Sequence, residues 1–175
     1  MWPGCRSWWW RAWLRRMHGC FWTRCLGLLA QAEAGPPDGL QAAQLEYLRG
    51  QIADDQRRSS DAARLLLSAA RRLEPLNAPL ARETHLEALT AAMYVGGLFL
   101  PGGVREAAEA ARAAPPAPSP PRPVDVVLDA FALLLTEGYV AAAPALQRAL
   151  ELLFALDGRE LREALANLGP ADPRA

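Results

Sequence analysis

The segment SDAARLLLSAARRLEP, Ser60–Pro75, determines how the rest of the chain is interpreted. Its apolar residues recur at i, i+3, i+4, i+7 and i+10, the spacing that places side chains on one face of a helix. They are Ala63, Leu66, Leu67, Ala70 and Leu73. Asp61, or the serine before it, is expected to cap the start of this helix. Arg71 and Arg72 suit its last turn, where the helix dipole favours cations, and Pro75 prevents continuation.

Four positions of this helix resemble the second helix of a tetratricopeptide repeat: Ala63, Leu67, Ala70 and Pro75. In that repeat, small residues allow close approach of two helices and the proline turns the chain into the next repeat. The preceding helix lacks the tryptophan, glycine and tyrosine of the motif, so the match covers one helix of the pair. The resemblance implies antiparallel helical hairpins stacked in sequence.

The composition favours an all-α fold. A chain of 175 residues is long enough for one domain with a core, and 51% of its residues are hydrophobic. Much of that fraction is alanine, which favours close-packed helices. No run of alternating β-branched residues indicates a strand. We therefore expect a tetratricopeptide-like array of about six or seven helices.

The charge is unevenly distributed, although the formal net charge is zero. Residues 1–25 carry five arginines and no acidic residue, whereas the other 150 residues carry 14 arginines against 19 acidic residues, a net charge of −5. This acidic balance argues against a broad nucleic-acid footprint. We expect no direct binding of nucleic acid by this chain.

The N-terminal segment, residues 1–25, differs from everything after it, because it holds all six tryptophans and all three cysteines. Its arginines interrupt any signal-peptide core or membrane span. We interpret it as disordered or as an incorrectly assigned start. The cysteine spacing fits no zinc-site pattern. Tryptophan with arginine also suits a membrane interface, and this remains the alternative interpretation.

A proline-rich stretch, residues 115–123, contains six prolines and is expected to be an extended linker. This stretch is the clearest predicted boundary between two helical regions of the chain. The predicted organisation is a helical repeat region over 26–114, the linker, a helical hairpin with a short helix over 124–168, and a tail over 169–175.

Other helices are predicted from periodicity and from their breakers. Their expected ranges are Leu26–Ala34, Asp38–Arg57, Leu80–Val95, Val104–Ala114, Val124–Glu137, Ala142–Phe154 and Arg159–Leu168. The expected apolar positions include Leu45, Leu48 and Ile52 in the second helix, Leu86, Leu89 and Met93 in the fourth, Ala107, Ala108 and Ala111 in the fifth, and Leu146, Ala149, Leu150 and Leu153 in the last long helix. Asn77 is expected to cap the helix that begins near Leu80, and Gly138 to end the helix that begins at Val124.

No residue pattern indicates catalysis. Asp54 and Asp55 are adjacent on a helix and do not face one another, so we interpret them as solvated surface. Glu83 and Glu87 are assigned to a hydrated side, and His85 is expected to be a partly buried packing residue. The chain contains no lysine, which excludes a phosphate-binding loop that ends in lysine. We predict no catalytic, cofactor-binding or metal-binding residues and no enzymatic activity.

Several segments are similar to the helical region of large actinobacterial LuxR-type regulators, which join an AAA-like ATPase to a DNA-binding helix-turn-helix. The segments are YLRGQIA (Tyr47–Ala53), LLLSAARRLEP (Leu65–Pro75), LARETHLEAL (Leu80–Leu89), GVREAAEAARAAPP (Gly103–Pro116), PRPVD (Pro121–Asp125) and LTEGYVAAAPALQRAL (Leu135–Leu150). They follow one another in the family's order over roughly residues 44–154.

This resemblance implies a truncated, non-catalytic helical scaffold from a cytoplasmic regulator of signal-dependent transcription. Its expected partner is a protein, a peptide or the missing domains of a larger regulator. The chain shows neither the ATPase motif nor the helix-turn-helix, so no ATP-binding or DNA-binding residue carries over. The alternative is a helical protein held at a membrane surface by residues 1–25.

Overall fold

The computed structural model describes residues 23–32, 38–94 and 103–156. The chain divides into two compact units, with the boundary after Asp38. In the first unit the described residues include helix α1, residues 23–32, which begins three residues before the predicted Leu26. The second unit holds the other described helices.

The all-α fold class is confirmed for the described ranges, in which no strand occurs. The helices of the second unit are α2 (Gly39–Asp55), α3 (Ser59–Leu73), α4 (Ala78–Tyr94), α5 (Gly103–Ala113), α6 (Pro123–Glu137) and α7 (Tyr139–Ala155). Each packs against the next one along the chain, and α4 also contacts α6. Where the connections are short, neighbouring helices pair as antiparallel hairpins, as expected of helical pairs stacked in sequence.

Helix α3 presents the predicted face to the core. Its five apolar positions are all buried, with exposed fractions between 0% and 8%. The predicted cap is wrong, because α3 begins at Ser59 and no side chain caps its N-terminus. The Asp61 carboxylate instead accepts hydrogen bonds from Arg58 at 3.5 Å and Arg64 at 2.8 Å.

Helix α4 begins at a cap that the sequence identifies. The Asn77 Oδ1 atom accepts a hydrogen bond from the backbone N–H of Leu80 at 3.1 Å. Leu86 and Leu89 are buried as predicted, at 1% and 0% exposure. Met93 was predicted to extend this stripe, but its side chain is 42% exposed near the end of the helix.

Helix α2 buries part of the predicted stripe. Ile52 is buried as predicted, at 8% exposure, and Leu45 is partly buried, but Leu48 is 42% exposed. The other buried positions are small residues: Ala43, Gly50 and Ala53. A Cβ atom on Gly50 would lie only 2.7 Å from Cγ of Leu66 in α3. The missing side chain at this position therefore permits the close approach of α2 and α3.

The hairpin of α6 and α7 turns at a single residue. Gly138 has a φ of +87°, in the left-handed region that favours glycine, and its carbonyl oxygen accepts from the N–H of Ala142 at 3.1 Å. Helix α7 consequently begins at Tyr139, three residues before the predicted start, and Pro144 lies inside it. Ala149 is buried as predicted, but Leu150 is 53% exposed.

The proline-rich stretch, residues 115–123, does not separate two compact units. Helices α5 and α6, on either side of it, both pack against α4. Arg82 of α4 holds this stretch in place, donating to the carbonyl oxygen of Pro115 at 2.9 Å and to Oδ1 of Asp125 at 2.7 Å. The predicted linker is therefore a fixed connection within one unit.

A second arginine completes this arrangement, which we call the Arg82 network. Arg122 donates to Oδ2 of Asp125 at 2.9 Å and also bonds Glu83 and the carbonyl oxygen of Pro79. The side chains of Arg82 and Asp125 are 3% and 0% exposed. Burial alone would raise the pKa of Asp125, but hydrogen bonds from Arg122 and Arg82 outweigh it and hold that pKa below its usual value.

Some predicted segments lie outside the described residues. They are residues 1–22 of the tryptophan-rich segment, the predicted helix Arg159–Leu168 and the predicted tail 169–175. Among the residues that are described, no helix has both the length and the apolar character required to cross a membrane.

Candidate functional site

A cleft opens between α3 and α5, and its volume is about 430 Å³. This volume falls within the range of roughly 300–1,000 Å³ that is usual for ligand pockets. Its described lining residues are Ala63, Arg64, Leu67, Ser68, Arg71, Arg72, Ala92, Gly103, Glu106 and Ala107. We call it the α3–α5 cleft.

The floor of the α3–α5 cleft is formed by buried apolar side chains. Ala63 and Leu67 of α3 contribute to it together with Ala92 of α4 and Ala107 of α5, and all four are at most 8% exposed. Three of the four are alanines. Helices α3 and α5 contact each other at few positions, and the cleft lies between them.

The rim of the cleft is predominantly cationic. Arg64, Arg71 and Arg72 have side chains that are 76%, 52% and 59% exposed. The single acidic residue among the described lining is Glu106, whose Oε1 lies 3.2 Å from Nη2 of Arg71 across the cleft. An apolar floor beneath a positive rim suits a ligand with apolar and anionic groups.

The cleft is not predicted from the sequence. Arg71 and Arg72 were expected only to suit the last turn of α3, and no site residue was predicted. A signal was nevertheless present, because Arg64, Leu67, Ser68 and Arg71 recur at i, i+3, i+4 and i+7 and so share one face. The contribution of α5 could not be found this way, since it depends on how α5 packs.

A second polar arrangement connects α2 and α4. The hydroxyl of Tyr47 donates to Oε1 of Glu87 at 2.8 Å and accepts from Nε2 of Gln51 at 2.6 Å. The prediction that Glu87 belongs to a hydrated side is therefore wrong. Its carboxyl is partly buried and bonded to the neighbouring helix.

This environment changes the protonation of both groups. Burial raises the pKa of Glu87 to about 7, and the nearby carboxylates of Glu83 and Asp54 act in the same direction. Hydrogen bonds from Tyr47 and Gln51 partly oppose the shift. Burial and the negative charge of Glu87 also raise the pKa of Tyr47. Glu87 therefore titrates near neutral pH.

His85 is more deeply placed than predicted. It was expected to be partly buried at the margin of the stripe, but it is 0% exposed. Its Nε2 atom lies 2.9 Å from Oε1 of Glu74, while its buried Nδ1 atom has no hydrogen-bond partner. Burial lowers the pKa of His85, and the hydrogen bond to Glu74 partly counteracts this.

The two adjacent carboxylates, Asp54 and Asp55, differ in their surroundings. Asp55 is exposed, in agreement with a solvated surface, whereas Asp54 is partly buried. Desolvation raises the pKa of both, and in Asp54 the charge of Arg57 partly offsets it. No cluster of three or more histidine, cysteine or acidic side chains able to hold a metal ion occurs in the described part of the chain.

Comparison with known proteins adds no relative. No family model, no curated protein and no solved structure matches this chain.

Proposed function

We propose that this chain is a non-catalytic helical scaffold that binds a protein or peptide partner. The observation that carries the proposal is the α3–α5 cleft, with its buried alanine-rich floor and its exposed arginine rim. Stacked helical pairs commonly use surfaces between their helices to hold a peptide or a neighbouring domain. The packing of α3 and α5 against α4 supports this surface from below.

The resemblance to the helical region of LuxR-type regulators extends this proposal to a cellular context. The chain would then correspond to the region between the ATPase and the DNA-binding helix-turn-helix of a cytoplasmic transcription regulator. The support for this context is the order and number of the similar segments over residues 44–154. In such a regulator the partner of the cleft would be another domain or a regulatory peptide.

The binding function can be tested by affinity purification of the tagged full chain from cells of the source organism. Ser68 lies in the cleft, and Ser68→Trp would fill it, whereas Ser60→Trp places the same side chain at an exposed position of α3 outside the described lining. We expect a partner that is retained by the Ser60→Trp variant and lost with Ser68→Trp. Equal capture by both variants would contradict a role for the cleft.

The cellular context needs a separate test. An antibody against residues 60–112 should detect, in the source cells, a species several-fold larger than this chain if the scaffold functions within a regulator. Intact-mass measurement of the band would establish its size. A band at the size of this chain would contradict the regulator context and would leave the scaffold function to be tested by the purification experiment.

A further inference from the structure

We infer that the partner segment of the α3–α5 cleft is acidic and amphipathic, with apolar side chains on the floor and carboxylates on the arginine rim. This inference rests on the proposed scaffold function and specifies the chemistry of its partner.

The floor requires apolar groups from the partner. Ala63, Leu67, Ala92 and Ala107 are nearly removed from water already, and they offer few polar atoms to a ligand. A polar side chain placed against them would lose hydrogen bonds to water without replacement. Leucine-like or aromatic side chains would instead remove their own apolar surface from water by packing against the floor.

The arginines of the rim carry N–H donors that can bind carboxylates. A guanidinium group carries five N–H donors. Among the described residues, the ion pairs of Arg64, Arg71 and Arg72 with Asp61, Glu106 and Glu46 each use one nitrogen. The arginine side chains of these pairs are exposed, and exposed ion pairs contribute little to stability. A carboxylate of the partner can therefore bind these arginines in addition to, or in place of, their present carboxylate partners. Arginine can bind a carboxylate in a bidentate geometry.

The charge of residues 26–175 limits the length of the anionic partner. These residues carry a net charge of −5, so a polyanion that extends beyond the cleft would encounter more acidic than basic residues. This excess of acidic residues in the sequence disfavours a nucleic acid, whose affinity depends on contacts of many phosphates with cationic side chains. A short acidic segment can contact the cleft alone.

Two exposed ion pairs that involve α5 provide matched variants. Arg71 and Glu106 form the pair across the cleft, while Arg105 and Glu109 form a similar exposed pair, at 2.8 Å, outside the described lining. Arg71→Gln removes a proposed donor, and Glu106→Gln removes the carboxylate that competes with the partner. Arg105→Gln and Glu109→Gln are the corresponding controls.

The test is fluorescence anisotropy of the full chain with a short, labelled synthetic peptide of leucine, alanine and glutamate. A second peptide has lysine in place of every glutamate. We expect the acidic peptide to bind about tenfold more tightly than the basic one. Arg71→Gln should weaken it about tenfold and reduce its salt dependence, Glu106→Gln should strengthen it a few-fold, and both controls should leave it unchanged.

Two outcomes would overturn the inference. One is equal or tighter binding of the basic peptide, and the other is an equal loss of affinity in Arg71→Gln and Arg105→Gln. Circular dichroism and thermal unfolding of each variant would show that the fold is retained. If neither peptide binds but Ser68→Trp still abolishes capture of a cellular partner, the scaffold function stands and the acidic chemistry of the partner is wrong.

Discussion

Helix α4 is held on two sides by different kinds of contact. Against α3, the contact is close packing of apolar and small side chains, exemplified by Leu66 of α3 and Leu86 of α4, which are 2% and 1% exposed. Against α6, it includes a buried ionic contact between Arg82 and Asp125, which are 3% and 0% exposed. Apolar packing tolerates changes of shape that keep volume, whereas a buried charge depends on the particular groups that pair with it.

The largest expected effect lies on the apolar side. Leu66→Asp would place an unpaired carboxylate where the side chain is 2% exposed, and we expect a loss of cooperative folding, equivalent to more than about 4 kcal/mol. Circular dichroism with thermal unfolding measures this directly. The control Ser60→Asp adds the same charge at an exposed site in the first turn of α3 and should fold normally. A cooperatively unfolding Leu66→Asp protein would show that α3 is not central to the core.

The next effect lies on the ionic side. Asp125→Ala removes the shared acceptor of Arg82 and Arg122 and leaves Arg82 buried with one remaining carboxylate, that of Asp129. We expect the free energy of unfolding to fall by about 3–5 kcal/mol, measured by urea denaturation.

A double variant sharpens the comparison of the two sides. Arg82→Met together with Asp125→Leu replaces the buried ion pair by apolar side chains, and it should recover part of the stability lost in Asp125→Ala. If the double variant were less stable than Asp125→Ala, the ion pair would itself stabilise the fold. Its role would then exceed the neutralisation of a buried charge.

A smaller effect is expected where α2 approaches α3. Gly50→Ala places a Cβ atom 2.7 Å from Cγ of Leu66, so that the leucine or the helix must move. Alanine favours the helix by about 1 kcal/mol, but overpacking typically costs about 1–3 kcal/mol. We expect a net loss of about 1 kcal/mol in urea denaturation. Increased stability would show that α2 and α3 can separate at no cost.

The smallest effect depends on pH and concerns the α2 side of α4. The folded pKa of Glu87, about 7, lies above its ordinary value of 4.5. The carboxyl therefore stabilises the fold at low pH, and this contribution is lost as the pH rises through about 7. At pH 8, Glu87→Gln should be more stable than the wild type by about 1–2 kcal/mol, a value reduced for the partial solvent exposure of Glu87. At pH 5, the two proteins should be nearly equal in stability.

Urea denaturation at the two pH values measures the Glu87 effect. Titration of His85 affects both proteins alike and cancels in the difference between them. Glu109→Gln, a control at an exposed position of α5 that retains Glu87, should follow the pH dependence of the wild type. A stability difference that is the same at pH 5 and pH 8 would contradict the assigned titration of Glu87.

Prediction from the sequence succeeded where a helix buries one continuous apolar face. The face of α3 and the small residues of α5 are buried as expected, namely Ala107, Ala108 and Ala111. It failed in α2, where Leu48 is exposed and Gly50 is buried, because contact with α3 selected small residues over large ones. It failed again at the end of α7, where Leu150 is half-exposed.

The sequence by itself determined the helical class, the central helix α3, the cap at Asn77 and the turn at Gly138. These features depend on residues close in the chain, so spacing and local hydrogen bonding suffice to specify them. Tertiary structure alone decided the buried pairing of Arg82 with Asp125, the bond between Tyr47 and Glu87, and the cleft between α3 and α5. Each of these joins groups at least 35 residues apart in the sequence, or depends on how two helices approach. Local periodicity does not predict contacts between residues so far apart.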